Sequence, residues 1–389
     1  MIKSVEYNID HEVVARATAR RPLLAEHADR TEAERQVVPE VMDALEVAGL
    51  CEVLVPTRAG GHGGTMATQL AVAAELARAC PSTAWVQTIL NITAWGASRS
   101  ETGVDLFAET AEGKRPRVCG VIAPTGTATP TEGGWLVTGR WPFASGVFHA
   151  SWFTGGVMLA DDEGNVVAPG MAMIPSSDFI VEDTWFVAGM AGTASNTVVV
   201  DNAFVPAKRI VQIGDDRVSG HDPSDIWPLG SALSLVIIGP LLGAAQACAD
   251  LVVEKAPKRA ISYTGYGRMT DSMVAVTETA RALLDIDSAW LHAFQAAGYV
   301  DAIGAGAERD PLEEARLRGQ YGYLVELLRN GVDRLLNVAG ASSFATSNVM
   351  QRHWRDLEVG SRHAFLATNV CLETYGRAIF GHDPTVMIL

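Results

Sequence analysis

Hydrophobic positions recur at helical spacing through most of the first 115 residues. Apolar side chains three and four positions apart predict one helix over residues 13–29 and a second over residues 37–48, where Gly49 supplies a C-terminal stop. A third helix is predicted over residues 67–79, and Pro81 suits the first turn of a fourth. The pattern therefore predicts a helical N-terminal domain.

The pattern changes to short β-branched and aromatic segments between residues 117 and 206. Gly133-Gly134 and Glu163-Gly164-Asn165 are typical turn centres between such segments. Six or seven strands without intervening helices favour an antiparallel sandwich or barrel. Neither a glycine-rich dinucleotide motif after a strand nor a phosphate-binding P-loop motif occurs, which disfavours the common nucleotide-binding folds.

Helical spacing returns after residue 216. Residues 271–297 and 312–338 predict two helices of roughly 25 residues, about 40 Å long, which suit a four-helix bundle. Residues 228–249 carry no charge and are long enough to cross a bilayer. Glycine, proline and serine interrupt that run and no second span exists, so we favour a helix buried inside the bundle. The predicted class is α+β, with domains at residues 1–115, 116–215 and 216–389.

Composition narrows the function classes. Of 389 residues, 48% are hydrophobic and 19% charged, which is typical of a folded chain and not of a disordered one. The net charge of −15 argues against nucleic acid as a partner. Five scattered cysteines without a CxxC pair, and an N-terminus without an apolar signal core, predict a soluble cytoplasmic protein with no disulfides and no metal.

Three motifs in register resemble the acyl-CoA dehydrogenase superfamily. Gly49-Leu50 with Pro56 and the GGHG turn at residues 60–63 is similar to its turn after the early helices. GMAGTASNTVVVDNAFVP at residues 189–206 resembles the segment closing its β-domain, and NVAGASSF at residues 337–344 its turn after the last long helix. The resemblance implies an N-terminal helical domain, a central antiparallel β-domain and a C-terminal four-helix bundle.

Further segments resemble one branch, the oxygenase components of two-component flavin-dependent monooxygenases, such as p-hydroxyphenylacetate and seco-steroid phenol hydroxylases. They are ACPSTAWV (79–86), WPFASGVFHASW (141–152) and QRHWRDLEVGSRHA (351–364). The resemblance implies reduced FMN or FAD supplied by a separate NAD(P)H:flavin reductase, O2, a C4a-hydroperoxyflavin and hydroxylation of a small aromatic or phenolic substrate. N-hydroxylation of an amino sugar or amine is the alternative among oxygenases.

Two other classes use the same fold. Fatty-acid-type dehydrogenases commonly carry a catalytic glutamate near the C-terminal turn, because a carboxylate removes the α-proton of the acyl thioester. Here HAFLATN follows Arg362, and the next carboxylate is Glu373. His363 at this place argues against dehydrogenation and for oxygenation. A flavin-free scaffold that has lost the site is the non-catalytic alternative.

The resemblance also assigns the candidate catalytic residues. The family's equivalent of Ser145 lies beside flavin N5, and Asn91 lies on the helix that reaches the same pocket. His363 is the first catalytic candidate, because imidazole can accept a phenol proton or hydrogen-bond an oxygen adduct. It follows Asp356 by seven positions, which predicts one helix face and a separation of about 10 Å. A core histidine, a strand-end serine and a packing asparagine are the corresponding structural interpretations.

Binding residues follow from the same resemblance. Thr93, Trp95 and His363 are predicted to contact substrate. The predicted flavin contacts besides Ser145 are Trp141, Gly192, Thr193, Ser195, Asn196 and, for the phosphate, Arg259. A core tryptophan, a turn over residues 192–196 and a surface arginine are the structural alternatives. The apolar C-terminal helices, together with the resemblance, predict a homotetramer.

Overall fold

Four helices whose bounds the structure describes lie in the N-terminal part of the protein. The computed structural model describes residues 7–99, 107, 115–161, 163–213 and 227–384. The N-terminal helices are α1 (His11–Ala33), α2 (Pro39–Val47), α3 (Met66–Ala77) and α4 (Pro81–Ser98). The apolar spacing thus located each of them to within a few residues. Asp10 caps α1 by accepting the N–H groups of Glu12 and Val13.

A seven-stranded sheet follows within the described residues. Its strands are β1 (Val118–Thr131), β2 (Gly134–Ala144), β3 (Trp152–Ala160), β4 (Val166–Pro175), β5 (Ile180–Glu182), β6 (Asn196–Pro206) and β7 (Ile210–Gln212). They are ordered β5-β6-β2-β1-β3-β4-β7.

The sheet differs from the antiparallel prediction at one pairing. β1 and β2 form a hairpin, after which the chain crosses to the other side of β1, so β3 runs parallel to β1. All other pairings are antiparallel. The sheet is therefore mixed.

Among the described residues after the sheet, six helices form the C-terminal part. They are α5 (Leu229–Val236), α6 (Ile238–Lys255), α7 (Met273–Gly304), α8 (Pro311–Ala339), α9 (Val349–Gly360) and α10 (Thr368–Ile379). The long helix α8 packs against α6, α7 and α10, which is the predicted four-helix bundle. Helix α6 approaches α3 closely at Gly243, where a Cβ would lie 2.1 Å from the Ala74 carbonyl oxygen.

The uncharged run at residues 228–249 forms helix α5 and most of helix α6, which lie in the core. By length and composition the stretch Leu229–Lys258 could cross a bilayer, but 78% of its apolar window is buried inside the protein. This confirms the buried-helix interpretation. The proposed domain boundary at residues 115/116 falls just before β1, and the boundary at 215/216 lies outside the described residues; the three-domain division stays a prediction.

Candidate active site

Ser145 and Ser195 meet where two neighbouring strands end. β2 and β6 are antiparallel with Ala144 opposite Asn196, so the residues just beyond this pair face each other. The Ser145 and Ser195 Oγ atoms are 2.7 Å apart. The Gly146 N–H donates to the Thr193 carbonyl at 2.8 Å and fixes the two turns together.

The two serines belong to a larger buried hydroxyl cluster, made up of Ser145, Ser195 and Thr193. Thr193 Oγ1 lies 2.7 Å from Ser195 Oγ and donates to the Met190 carbonyl at 2.8 Å. From α4, the Trp85 Nε1–H donates to Ser145 Oγ at 3.2 Å. Each hydroxyl-bearing residue is at most 6% exposed. Such a buried polar network specifies one geometry.

Backbone strain surrounds the hydroxyl cluster. Phe143, Met190 and Ala194 adopt φ values of 68°, 56° and 48°, which place them in the left-handed region that disfavours side chains. Each such residue costs on the order of 1–3 kcal/mol, and strain of this kind concentrates at functional sites. The strain independently marks these turns as a functional region.

Helix α9 holds the strained segment in place. The buried Asp356 carboxylate accepts the Met190 N–H, and Arg355 donates to the Ala188 carbonyl. A Cβ on Gly189 would lie 2.2 Å from the Arg355 carbonyl oxygen, so only glycine allows this approach. Burial raises the pKa of Asp356 to about 6. The sequence pattern marked Asp356 only by its spacing from His363 and gave no sign of this link to the cluster.

His363 lies near the cluster, although the predicted helix face is wrong. α9 ends at Gly360, and His363 begins a short 3-10 turn over Ala364–Leu366, so it does not share a helix face with Asp356. Its ring centroid is 5.8 Å from that of Trp85. Trp85 therefore contacts both Ser145 and His363 and joins two of the three catalytic candidates.

The geometry also defines the protonation of His363. Its Nδ1 accepts the Phe365 N–H at 3.2 Å, so the neutral ring carries its proton on Nε2. Desolvation and the nearby Arg318 lower the pKa of His363 to about 4. At neutral pH this side chain is an uncharged hydrogen-bond donor.

Asn91 and Thr93 hold the backbone together. The Asn91 amide donates to the Leu50 carbonyl at 2.8 Å and accepts the Leu54 N–H at 3.2 Å. Thr93 Oγ1 donates to backbone carbonyls, that of Ile89 at 2.7 Å among them. These bonds favour structural roles over the catalytic role predicted for Asn91 and the substrate contact predicted for Thr93.

Two tryptophans predicted to contact ligands are core residues. Trp141 is fully buried, donates to the Gly156 carbonyl at 2.8 Å and packs edge-on against Phe153. Trp95 is also fully buried, and its ring centroid lies 5.6 Å from that of Trp227. Packing therefore accounts for both residues.

The remaining predicted flavin contacts divide between two places. Asn196 accepts the N–H groups of Thr184 and Trp185, both at 2.9 Å, and Gly192 packs against α1, so both shape the turn below the hydroxyl cluster. Arg259 donates to the Ala339 carbonyl at the end of α8. There it lines a cavity of about 20 Å³, so it is not part of the hydroxyl cluster.

Comparison with known proteins identifies the fold first. Residues 11–99 match the family model described as "Acyl-CoA dehydrogenase, N-terminal domain", and residues 235–368 match "Acyl-CoA dehydrogenase, C-terminal domain". The structure of XiaF from Streptomyces sp., in complex with FADH2 and glycerol, superposes with a TM-score of 0.92 at 35% identity, and 97% of each chain is covered. The chain therefore has the acyl-CoA dehydrogenase fold.

Full-length relatives then identify the branch. The flavin-dependent monooxygenase oxygenase subunit HsaA of Rhodococcus jostii (strain RHA1) is 30% identical over 94% of this chain and 97% of its own length. The FADH2-dependent resorcinol hydroxylase oxygenase component of Rhizobium sp. (strain MTP-10005) is 30% identical over 96% and 95%. The chain belongs to the family of oxygenase components of flavin-dependent monooxygenases.

Proposed function

We propose that the protein is the oxygenase component of a two-component monooxygenase that hydroxylates a small phenolic or aromatic compound with O2 and reduced FMN or FAD. The observation that carries the proposal is the contact of Trp85 with both Ser145 and His363, because it joins a buried hydroxyl cluster to an uncharged imidazole donor. A separate NAD(P)H:flavin reductase supplies the reduced flavin, as the designation of the relatives as oxygenase components supports.

The residues present fit a reduced flavin ring. A reduced isoalloxazine carries an N–H at N5, and the Ser145 hydroxyl at a strained, buried turn is a suitable partner for it. When bound, reduced flavin supplies the electrons that activate O2 for transfer of one oxygen atom. The protein orients the ring and excludes water, which would otherwise favour release of hydrogen peroxide.

His363 acts in this proposal as a hydrogen-bond donor. Its lowered pKa leaves too little imidazolium near neutrality for it to serve as an acid, and its Nδ1 already accepts a backbone N–H. The Nε2–H is then free to donate a hydrogen bond to the oxygen atom being transferred or to the hydroxyl group of a phenol. Donation is thus favoured over the general-base alternative.

A dehydrogenase of the same fold is disfavoured by the same loop. Abstraction of an α-proton from an acyl thioester requires a carboxylate. The loop after α9 presents His363 instead, and residues 361–372 contain no aspartate or glutamate. The protein therefore lacks the base at this position that dehydrogenation needs.

Arg259 is the proposed ligand of the flavin phosphate. It lines the 20 Å³ cavity at the end of α8 together with Lys255, Ser343 and Asn348. Arg259 and Lys255 place two cations there, which suits a phosphate group, whereas the Ser343 hydroxyl and the Asn348 amide already donate to the carbonyls of Gly340 and Ser342. FMN and FAD both carry such a group, so both are proposed cofactors.

Assembly and location complete the proposal. Leu284 and Leu291 are 65% and 69% exposed and lie two helical turns apart on one face of α7, which supports a homotetramer formed through the C-terminal helices. The five cysteines are buried free thiols, which supports a location in the cytoplasm, where the environment is reducing.

Anaerobic flavin binding tests the proposal. The purified protein is expected to be colourless and to bind dithionite-reduced FMN or FAD more tightly than the oxidised forms, measured by equilibrium dialysis in a glove box. A yellow protein that retains oxidised FAD through purification, and is reduced by acyl-CoA, would support the dehydrogenase instead.

A further inference from the structure

The hydrogen bonds of the hydroxyl cluster have a defined direction. A carbonyl oxygen only accepts, so the Thr193 hydroxyl proton is directed to the Met190 carbonyl. The oxygen of Thr193 must then accept the proton of Ser195, 2.7 Å away. Ser195 Oγ in turn accepts the proton of Ser145, also at 2.7 Å.

This order leaves Ser145 as an acceptor toward any ligand. A serine hydroxyl has one proton and two lone pairs, and the proton is directed to Ser195. One lone pair of Ser145 Oγ accepts the Trp85 Nε1–H at 3.2 Å. The second lone pair is the position that remains for a ligand.

The reversed order is less favourable by one hydrogen bond. If Thr193 donated to Ser195 and Ser195 to Ser145, the bond from Thr193 to the Met190 carbonyl would be lost. The Met190 carbonyl would keep the donations from Trp185 Nε1 at 2.9 Å and from the Thr193 N–H at 3.1 Å, but the Thr193 hydroxyl proton would no longer reach it. One such bond corresponds to roughly a three- to tenfold difference in population.

We propose that Thr193 and Ser195 are positioning residues that fix Ser145 as a hydrogen-bond acceptor and thereby make the site select reduced over oxidised flavin. N5 of reduced flavin carries a hydrogen that Ser145 accepts. N5 of oxidised flavin has only a lone pair, which meets the lone pair of Ser145. The inference rests on the proposed function, since it assumes that Ser145 faces flavin N5.

The ordered donations from Ser145 to Ser195, from Ser195 to Thr193 and from Thr193 to the Met190 carbonyl form a hydrogen-bond relay. Helix α9 stabilises its Met190 end. Asp356 accepts the N–H of Met190, the same residue whose carbonyl receives the Thr193 hydroxyl. Met190 has a φ of 56°, and the bond to Asp356 is part of what holds this conformation. The direction of the relay is therefore built into the fold and does not depend on the ligand.

Removing one relay hydroxyl tests the proposal. In Ser195→Ala the Ser145 proton loses its acceptor and becomes free to donate to oxidised N5. The ratio of the dissociation constants for oxidised and reduced FMN, and likewise for FAD, should fall three- to tenfold. The two-electron midpoint potential of the bound flavin should fall by about 15–30 mV, because tenfold equals about 30 mV.

Matched variants separate the relay from general damage to the site. Thr193→Val removes a relay hydroxyl at nearly constant volume and should lower the same ratio, whereas Thr193→Ser keeps the hydroxyl and should restore it. Thr197→Val is the control, because this buried threonine on β6 pairs only with Thr184 among the described residues, at 2.8 Å. In a Ser145→Ala background, Ser195→Ala should change the ratio no further.

Each outcome decides a different claim. If Ser195→Ala and Thr193→Val weaken both redox forms equally, with an unchanged ratio and potential, the two residues are only structural and the inference is overturned. An equal fall of the ratio in the Ser145→Ala background also overturns it. Wild-type protein that binds neither reduced FMN nor reduced FAD contradicts the proposed function itself.

Discussion

Replacement of Asp356 by asparagine should change the pH dependence of stability. Asp356 is 3% exposed, accepts the Met190 N–H and lies 3.4 Å from Ser82 Oγ. Asparagine keeps an oxygen that accepts the Met190 N–H. Its NH2 group replaces the second carboxylate oxygen at nearly the same volume. The substitution thus removes the charge and preserves the packing.

The magnitude follows from the raised pKa of Asp356. Burial raises this pKa from 3.8 to about 6, so the native state holds a proton that the unfolded state has already lost. Relative to a charged native Asp356, the protonated carboxyl group stabilises the native state in full below pH 3.8, and this stabilisation is lost as the pH rises through 6. Charging the native carboxyl group therefore costs about 3 kcal/mol at neutral pH, and about half of that cost accrues between pH 5 and 7.5.

Urea unfolding at fixed protein concentration measures this difference. The free energy of unfolding of Asp356→Asn minus that of wild type should increase by about 1–2 kcal/mol between pH 5 and 7.5, so the variant gains stability relative to wild type. Asp161→Asn is the control without a change: hydrogen bonds from Asn165 lower the pKa of Asp161, so this carboxyl group is charged in both the native and the unfolded state at pH 5 and at pH 7.5, and the relative stability of the variant should be the same at both. A relative stability of Asp356→Asn that is the same at both pH values would refute the buried, charged Asp356 described above.

Substitutions at four further positions test the site, the packing of α9 and the assembly. Ser145→Ala should fold normally but release roughly 10- to 100-fold more hydrogen peroxide per product, measured with a peroxidase-coupled assay, because one hydrogen bond to the flavin is lost; unchanged coupling would remove Ser145 from the mechanism. His363→Ala should lower hydroxylation roughly 10²–10⁴-fold while reduced flavin still binds, and His363→Asn should retain more turnover as a donor; equal turnover of His363→Ala and wild type would make it a core histidine. Gly360→Ala places a Cβ 2.8 Å from Leu241 Cδ2 and 2.9 Å from Met190 Cε. Calorimetry should therefore show a destabilisation of about 1–3 kcal/mol. An unchanged melting temperature would contradict the tight packing of α9. If the proposed homotetramer forms through α7, Leu291→Lys should lower the mass measured by light scattering from that of four 41.4 kDa chains to that of fewer. An unchanged mass would contradict an interface on this face of α7.

The helices were predictable because their information is local. The repeat of Leu317, Leu324 and Leu328 lies on one face, and the structure buries all three in the core of the bundle. Strand pairing was not predictable in the same way. The parallel pairing of β1 with β3 depends on where the chain goes after residue 144, which alternation of side chains within a strand does not encode.

The candidate site was predictable in part. Ser145, Thr193 and Ser195 stand in two segments that resemble the family, and the structure brings their hydroxyls together. The hydrogen bonds of the Asn91 side chain with the backbone of Leu50 and Leu54 could not be predicted. Helical spacing shows on which face of a helix a residue lies, but it does not show which groups the side chain contacts there.

The end of helix α9 shows the same limit. Residues 349–363 carry no proline, and a glycine at position 360 alone did not indicate that α9 ends there. The shared helix face of Asp356 and His363 was therefore wrong. The role of Asp356 depends on a contact with Met190, 166 positions away in sequence, which no local pattern contains.

Incorporation of oxygen from ¹⁸O2 tests the central claim most directly. The protein would be mixed with dithionite-reduced FAD or FMN, freed of excess reductant, then with ¹⁸O2 and phenols that include resorcinol and p-hydroxyphenylacetate, and the products analysed by mass spectrometry. The account predicts one ¹⁸O atom per hydroxylated product. Hydroxyl oxygen derived from water, or a protein that forms no hydroxylated product and passes electrons from acyl-CoA to its flavin, would contradict it.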